Sequence, residues 1–135
     1  MTRINLPDPV CLTDQHLLAE YRELPRIFAL ARPNAKRPAA YTMGTGHVLF
    51  FYPLTKWLSK RQAALIAECQ RRGFNVAHTT PPNPIPGCDG DWTPTPEAIA
   101  TNLQRLRERL AQKPGFYTHY GKPVPADFYG TPQNQ

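Results

Sequence analysis

At 135 residues the chain has room for one domain with a core of its own. A hydrophobic share of 41% excludes an intrinsically disordered composition, and no apolar run approaches the length needed to cross a bilayer. Sixteen Lys and Arg against ten Asp and Glu leave a formal charge of +6, which favours a polyanionic partner, nucleic acid first, although a merely soluble basic protein has the same balance.

The first predicted helix starts near Asp14, a good N-cap residue, and runs to about Ala31 or Arg32. Leu17, Tyr21, Leu24 and Phe28 recur at helical spacing and define its buried stripe. Pro25 has no N–H to give the Tyr21 carbonyl, so a kink is expected close to Glu23. A loop with Lys36, Arg37 and Pro38 follows. Gly46 to Tyr52 is apolar and β-prone, but a lone strand has nothing to pair with, so core-lining irregular chain is expected there. The second long helix spans Thr55 to Gly73, with Trp57, Leu58, Ala64, Leu65 and Cys69 inward and Lys56, Lys60, Arg61, Arg71 and Arg72 outward. The proline-rich tract from Thr79 to Pro96 reads as a surface connection. Thr95-Pro96-Glu97 then opens a third helix to about Gln112, on which Ile99, Leu103, Leu106 and Leu110 face inward. An aromatic segment, Phe116 to Lys122, precedes a proline-rich tail, 123–135, expected to be loose. Three helices without paired strands predict a compact all-α domain over residues 1–122.

Cys11, Cys69 and Cys88 form no CxxC pair, and their sparse, odd number suits a reducing compartment. No signal peptide is visible in the first twenty residues, so a cytoplasmic protein without membrane attachment is expected. His16, His47, His78 and His119 lack metal-ligand spacing, and Gly44-Thr45-Gly46 matches no phosphate or dinucleotide loop, so neither metal nor cofactor is expected.

Three features carry chemistry. Met1 precedes the small residue Thr2, so processing is expected to leave a free Thr2 amine. An α-amine has a pKa of about 7.7–8.0 against about 10.4 for lysine, so roughly a few hundred times more of it is unprotonated at neutral pH. That suits Schiff-base chemistry, although every chain has an N-terminus and most do nothing. On the first helix His16, Glu20 and Glu23 share a face, and Arg22 and Arg26 flank Glu23. This is either a solvated charge cluster or a carboxylate in a phosphate-binding cleft, able to stabilise cationic charge on a sugar. Near the end, Phe116, Tyr117, His119 and Tyr120 lie beside Lys113 and Lys122, a pattern for base stacking with phosphate contact, or else for closing the core.

Several stretches taken together carry a resemblance: Met1-Thr2-Arg3-Ile4-Asn5-Leu6, Asp14-Gln15-His16-Leu17, Ala19-Glu20-Tyr21-Arg22-Glu23-Leu24-Pro25-Arg26, Gly46-His47-Val48, Phe50-Phe51-Tyr52, Lys60-Arg61-Gln62, Leu65-Ile66-Ala67-Glu68-Cys69, Arg72-Gly73-Phe74-Asn75 and Tyr120-Gly121-Lys122. Over about residues 1–122 the chain resembles the pyrimidine-dimer DNA glycosylase/AP lyase family of the phage endonuclease V type. The resemblance implies an enzyme of base-excision repair that binds duplex DNA containing cyclobutane pyrimidine dimers, and undamaged duplex non-specifically, as a monomer. It implies attack of the Thr2 amine on the sugar, a Schiff base and strand nicking by β-elimination, with Glu23 stabilising the cation and assisting proton transfer. It further implies phosphate contacts from Arg3, Arg22 and Arg26, and from Arg105 and Arg109 on the third helix. His16 is implied to line the active site and Gln62 to lie near the extruded base opposite the lesion.

The chain departs from the family in three places. The loop between Arg32 and Gly46 is shorter and less basic, Phe116, Thr118 and His119 replace a commoner Trp- and Lys-containing run, and the tail has no counterpart. Two alternatives stay open: a glycosylase/AP lyase for another lesion or for abasic sites, and a non-catalytic basic DNA-binding protein.

Overall fold

The computed structural model describes residues 4–32, 38–44 and 46–130. Its helices are α1 (Asp14–Leu30), the short α2 (His47–Phe51), α3 (Thr55–Arg71) and α4 (Pro96–Gln112), preceded by a 3-10 turn at Pro9–Cys11. The expected all-α architecture holds, with one addition. Strands β1 (Thr118–His119) and β2 (Lys122–Pro123) pair antiparallel inside the aromatic segment. Tyr120 and Gly121 make the two-residue turn, both at positive φ (51° and 79°), the backbone that tight hairpins require.

The N-cap of α1 is Thr13, one residue earlier than expected: its hydroxyl accepts the His16 N–H at 3.1 Å. Asp14 is thereby released for another task, described below. The helix continues through Pro25. Leu17, Tyr21 and Leu24 are buried as expected, while Ile27 takes the deep position in place of Phe28, which is only partly covered. α4 begins as expected, with the Thr95 hydroxyl accepting the Ala98 N–H and Pro96 in the first turn.

Residues 47–51 form a helix rather than irregular chain. His47, Phe50 and Phe51 are buried at positions i, i+3 and i+4, a helical face. That face enters a cluster of rings: Phe51 stacks on Trp57 (5.3 Å), Phe50 meets Trp92 edge-on (5.0 Å), and Tyr41 stacks on Trp92 (6.0 Å). Such packing with distant partners outweighs the strand preference of the segment.

α3 packs along α1, and it and its C-cap residue differ from expectation at four side chains. Ala64 is exposed and Ile66 fills the core instead, while Arg61 and Arg72 turn inward. Cys69 is a core residue as expected. Residues 79–95 contain no helix and no strand beyond a single antiparallel bridge from Asp89 to Leu54, which ties them to the start of α3. The Thr55 N–H and hydroxyl both donate to the Cys88 carbonyl (2.8 and 2.7 Å), and the Gly90 N–H donates to the Pro53 carbonyl (2.9 Å). A Cβ on Gly90 would sit 2.7 Å from that same carbonyl oxygen, so the close approach requires glycine. After β2 the chain is not loose up to Gly130: Val124, Phe128 and Tyr129 pack on the core. Residues 131–135 lie outside the described residues. Among the described residues no helix is long and apolar enough to cross a membrane.

Candidate active site

A cleft of about 220 Å³ opens where α1, α4 and the aromatic segment meet. Asn5, His16, Glu20, Glu23, Arg109 and Tyr117 line it. His16, Glu20 and Glu23 reach it together because positions 16, 20 and 23 fall on one face of α1.

Two of these side chains are fixed from behind. The His16 ring stacks on Tyr117 (4.7 Å), and its Nδ1 lies 2.7 Å from the Tyr129 hydroxyl and 2.9 Å from Thr13 Oγ1. The Tyr129 oxygen also accepts the Thr13 N–H (2.9 Å), so one hydroxyl ties the start of α1 to the His16 ring. Burial pushes the Tyr129 phenol up to about 12, so it remains a donor at ordinary pH. Glu20 is buried and gripped bidentately by Arg61, at 2.7 and 2.9 Å. This pairing neutralises Glu20 in the cleft wall. Glu23 stays accessible, its side chain 28% exposed, with Arg26 Nη1 at 3.3 Å.

The chain leading out of the N-terminus enters this wall and is clamped on both edges. The Ile4 N–H donates to His47 Nε2 (2.8 Å), and the Tyr41 hydroxyl donates to the Ile4 carbonyl (3.0 Å). Because Nε2 accepts, His47 carries its proton on Nδ1, which donates to the Thr42 carbonyl at 2.9 Å. The Leu6 N–H donates to Asn102 Oδ1 (2.8 Å), Asn102 Nδ2 donates to Asn5 Oδ1 (2.9 Å), and Arg61 Nη1 donates to the Pro7 carbonyl (2.7 Å).

The expected site residues divide into groups. His16, Glu23, Arg109 and Tyr117 meet in the cleft. Arg26 pairs with Glu23 beside it, with 73% of its side chain open, whereas Arg22 is exposed and lines a separate recess with Tyr21, Asn75 and His78. Arg105, one turn from Arg109 on α4, pairs with Glu108 (3.3 Å) and lines a separate recess with Met43 and Gln104. Lys113 lies over the Phe116 ring (4.9 Å), and Lys122 is exposed on β2. Thr2 and Arg3 lie outside the described residues.

Two expected DNA-facing side chains are committed elsewhere. Gln62, expected beside an extruded base, is 1% exposed, and its Nε2 donates to the Tyr21 carbonyl at 3.2 Å. The Tyr120 hydroxyl donates to Glu68 Oε2, and its ring covers Arg72 at 4.7 Å. Arg72 in turn binds Glu68 Oε2 (2.8 Å) and Asp14 Oδ1 (2.9 Å). Asp14 also accepts from the Thr118 hydroxyl and the Tyr120 and Gly121 N–H groups (2.7, 3.1 and 3.0 Å). Burial alone would raise the Asp14 carboxyl, but these donors and Arg72 hold it below its ordinary value. Glu68 is held low in the same way, by Tyr120, Arg72 and Arg71 against its burial. The network is the buckle that closes the aromatic hairpin onto α1 and α3.

The model of the pyrimidine dimer DNA glycosylase family matches residues 1–81, more than half of the chain. The chain belongs to this family. It is therefore a DNA-repair glycosylase of pyrimidine dimers, and its substrate is DNA. The matched span holds α1 to α3, with Glu23 and the clamped N-terminal segment, while the cleft also draws Arg109 and Tyr117 from beyond it.

Sequence reading missed Asn5, His47, Asn102 and Tyr129 as parts of this site. Asn102 left a signal: it interrupts the spacing of Ala98, Leu106 and Leu110 on the buried face of α4, where an amide is tolerated only with partners. Tyr129 left none, since its partners lie more than a hundred residues away.

Proposed function

We propose that this glycosylase works through the amine of Thr2. The amine nitrogen attacks C1′ of the 5′ sugar of the dimer, the C1′–N bond breaks, and the base leaves with the bonding pair. The amine gives up a proton, the C1′–O4′ bond breaks with O4′ taking a proton, and the opened sugar is left as an iminium on the Thr2 nitrogen. Loss of a C2′ proton then expels the 3′ phosphate by β-elimination and nicks the strand. Glu23 stabilises the cationic sugar and takes or returns protons, and His16 borders the same cleft. Arg3, Arg22, Arg26, Arg105 and Arg109, with Lys113 and Lys122, hold phosphates. They also give the enzyme, acting as a monomer, salt-dependent affinity for undamaged duplex. Tyr117 supports the extruded strand through its ring face.

The observation that carries this reading is the convergence of Glu23 and the clamped N-terminal segment on one cleft. Asn5, three positions after Thr2 in the chain, lines the same cleft as Glu23, which supports a shared role for the N-terminal segment and this carboxylate. Dimerised bases stack and pair poorly, which lowers the cost of opening the duplex there.

The test is borohydride reduction on ultraviolet-irradiated duplex, using protein whose first residue has been read by mass spectrometry. Protein beginning at Thr2 is expected to become covalently joined to the irradiated strand, and Met1-retaining protein is not. Trapping by both forms alike would place the nucleophile elsewhere. Trapping on abasic duplex but never on dimers would limit the enzyme to the lyase step.

A further inference from the structure

Pro25 leaves a defect in α1. A helical residue donates its N–H to the carbonyl four positions back, and proline has none to give, so the Tyr21 carbonyl loses its intrahelical partner. That carbonyl lies in the buried interface of α1 with α3, away from water. The turn it belongs to, Tyr21 to Pro25, is the one that carries Arg22 and Glu23.

α3 supplies what the proline removes. Gln62 Nε2 donates to the Tyr21 carbonyl at 3.2 Å. The residue before it, Arg61, holds the Glu20 carboxylate by two hydrogen bonds. Adjacent residues of α3 therefore grip adjacent residues of α1, one by its side chain and one by its backbone. The other end of the Gln62 amide, Oε1, is buried and has no hydrogen-bond partner among the described residues. A buried unpaired acceptor is unfavourable, so the residue is costly except for its donor. The donor has one described acceptor, the carbonyl orphaned by Pro25.

We infer that Gln62 is a positioning residue: its amide replaces the hydrogen bond missing at Pro25 and so sets the orientation of the turn that presents Glu23 to the cleft. The inference rests on the proposed role of Glu23. It differs from a contact to an extruded base in one decisive respect. A residue at position 25 with its own N–H makes the amide of Gln62 dispensable for positioning, whereas it cannot replace a contact to DNA.

The experiment uses four proteins, all beginning at Thr2: the parent, Gln62→Met, Pro25→Ala and the double variant. Methionine keeps the volume and flexibility of glutamine and removes the donor. Measured are the single-turnover β-elimination rate on abasic duplex, the Kd for undamaged duplex, and the thermal midpoint. Gln62→Met is expected to slow elimination by about five- to tenfold, the rate equivalent of one ordinary hydrogen bond, with Kd within about twofold. Pro25→Ala alone stays within about twofold of the parent, and the double variant regains the parental rate to the same margin, as expected of two residues serving one bond. A double variant no faster than Gln62→Met overturns the inference, and so does a parental rate in Gln62→Met. If Gln62→Met fails to fold, the double variant decides alone: a folded protein at parental rate supports the inference, and any other result overturns it. Glu23→Gln separates the two levels. An unchanged rate there refutes the proposed role of Glu23, whereas a slowed Glu23→Gln beside an unchanged Gln62→Met refutes only the inference about Gln62.

Discussion

Replacing Asn102 by Ala tests whether the N-terminal segment is held as the geometry indicates. Asn102 is fully buried and uses both ends of its amide, accepting the Leu6 N–H at 2.8 Å and donating to Asn5 Oδ1 at 2.9 Å. Truncation leaves one buried donor and one buried acceptor unpaired. Each costs about 1–3 kcal/mol, so the loss is roughly 2–6 kcal/mol, a large share of a typical total of about 5–15. For a chain of this size a kilocalorie moves the midpoint by about 4 °C, so thermal unfolding is expected roughly 8–24 °C lower. Circular dichroism gives the midpoint, and amide hydrogen exchange locates the damage. The Leu6 N–H, protected in the parent, is expected to exchange fast at temperatures where the variant is folded, while the core of α3 keeps its protection. A midpoint within about 2 °C of the parent, with Leu6 still protected, would refute the reasoning.

Three further outcomes follow from the same geometry. Asp14 and Glu68 titrate in the folded protein below their ordinary values of 3.8 and 4.5. Their stabilisation is therefore complete above those values and is lost as pH falls through the lowered folded ones. Thermal midpoints should hold down to about pH 5 and fall below it, and Asp14→Asn should lower the midpoint at neutral pH while flattening the acid limb; parallel curves would remove Asp14 from the explanation. Of the three cysteines, Cys11 is exposed, Cys88 is buried, and burial pushes the Cys69 thiol up to about 11, so brief alkylation of native protein should label Cys11 and spare Cys69, as peptide mass mapping would show. Arg22→Ala, Arg26→Ala and Arg109→Ala should each reduce the slope of log Kd against log salt for undamaged duplex by about 0.9 for every phosphate the variant no longer neutralises, and unchanged slopes would take these residues out of the DNA interface.

The fold was legible where its determinants are local. Thr95-Pro96-Glu97 announces the start of α4, and Leu17, Tyr21 and Leu24 mark the buried face of α1, because caps and helical periodicity act within a few residues. It was not legible where distant partners decide. His47-Val48-Leu49-Phe50-Phe51 reads as β-prone and is helical because the rings of Tyr41, Trp57 and Trp92 wait on one side. Arg61 and Arg72 read as surface cations because arginine usually is one, and their acceptors Glu20 and Asp14 lie 41 and 58 positions away. The same holds within the candidate site. The spacing of His16, Glu20 and Glu23 was visible, but nothing in it says that Glu20 is neutralised by Arg61 while Glu23 faces the cleft.

That last distinction bears on how one helix face sustains two carboxylates with different uses. Glu20 and Glu23 stand one turn apart in the same wall, and two free carboxylates there would repel each other. The bidentate Arg61 takes Glu20 out of this competition at the expense of burying an ion pair, whose disruption from one side typically costs about 3–5 kcal/mol. Arg72 does the same for Asp14 and Glu68 behind the hairpin. Together these interior groups absorb two cations and three carboxylates, so the rest of the chain carries one more positive charge than the net +6 indicates. The buried pairs thus serve the surface as well as the core. They confine negative charge to the interior and leave Glu23 as the accessible carboxylate of the cleft wall, with Arg26 beside it at 3.3 Å.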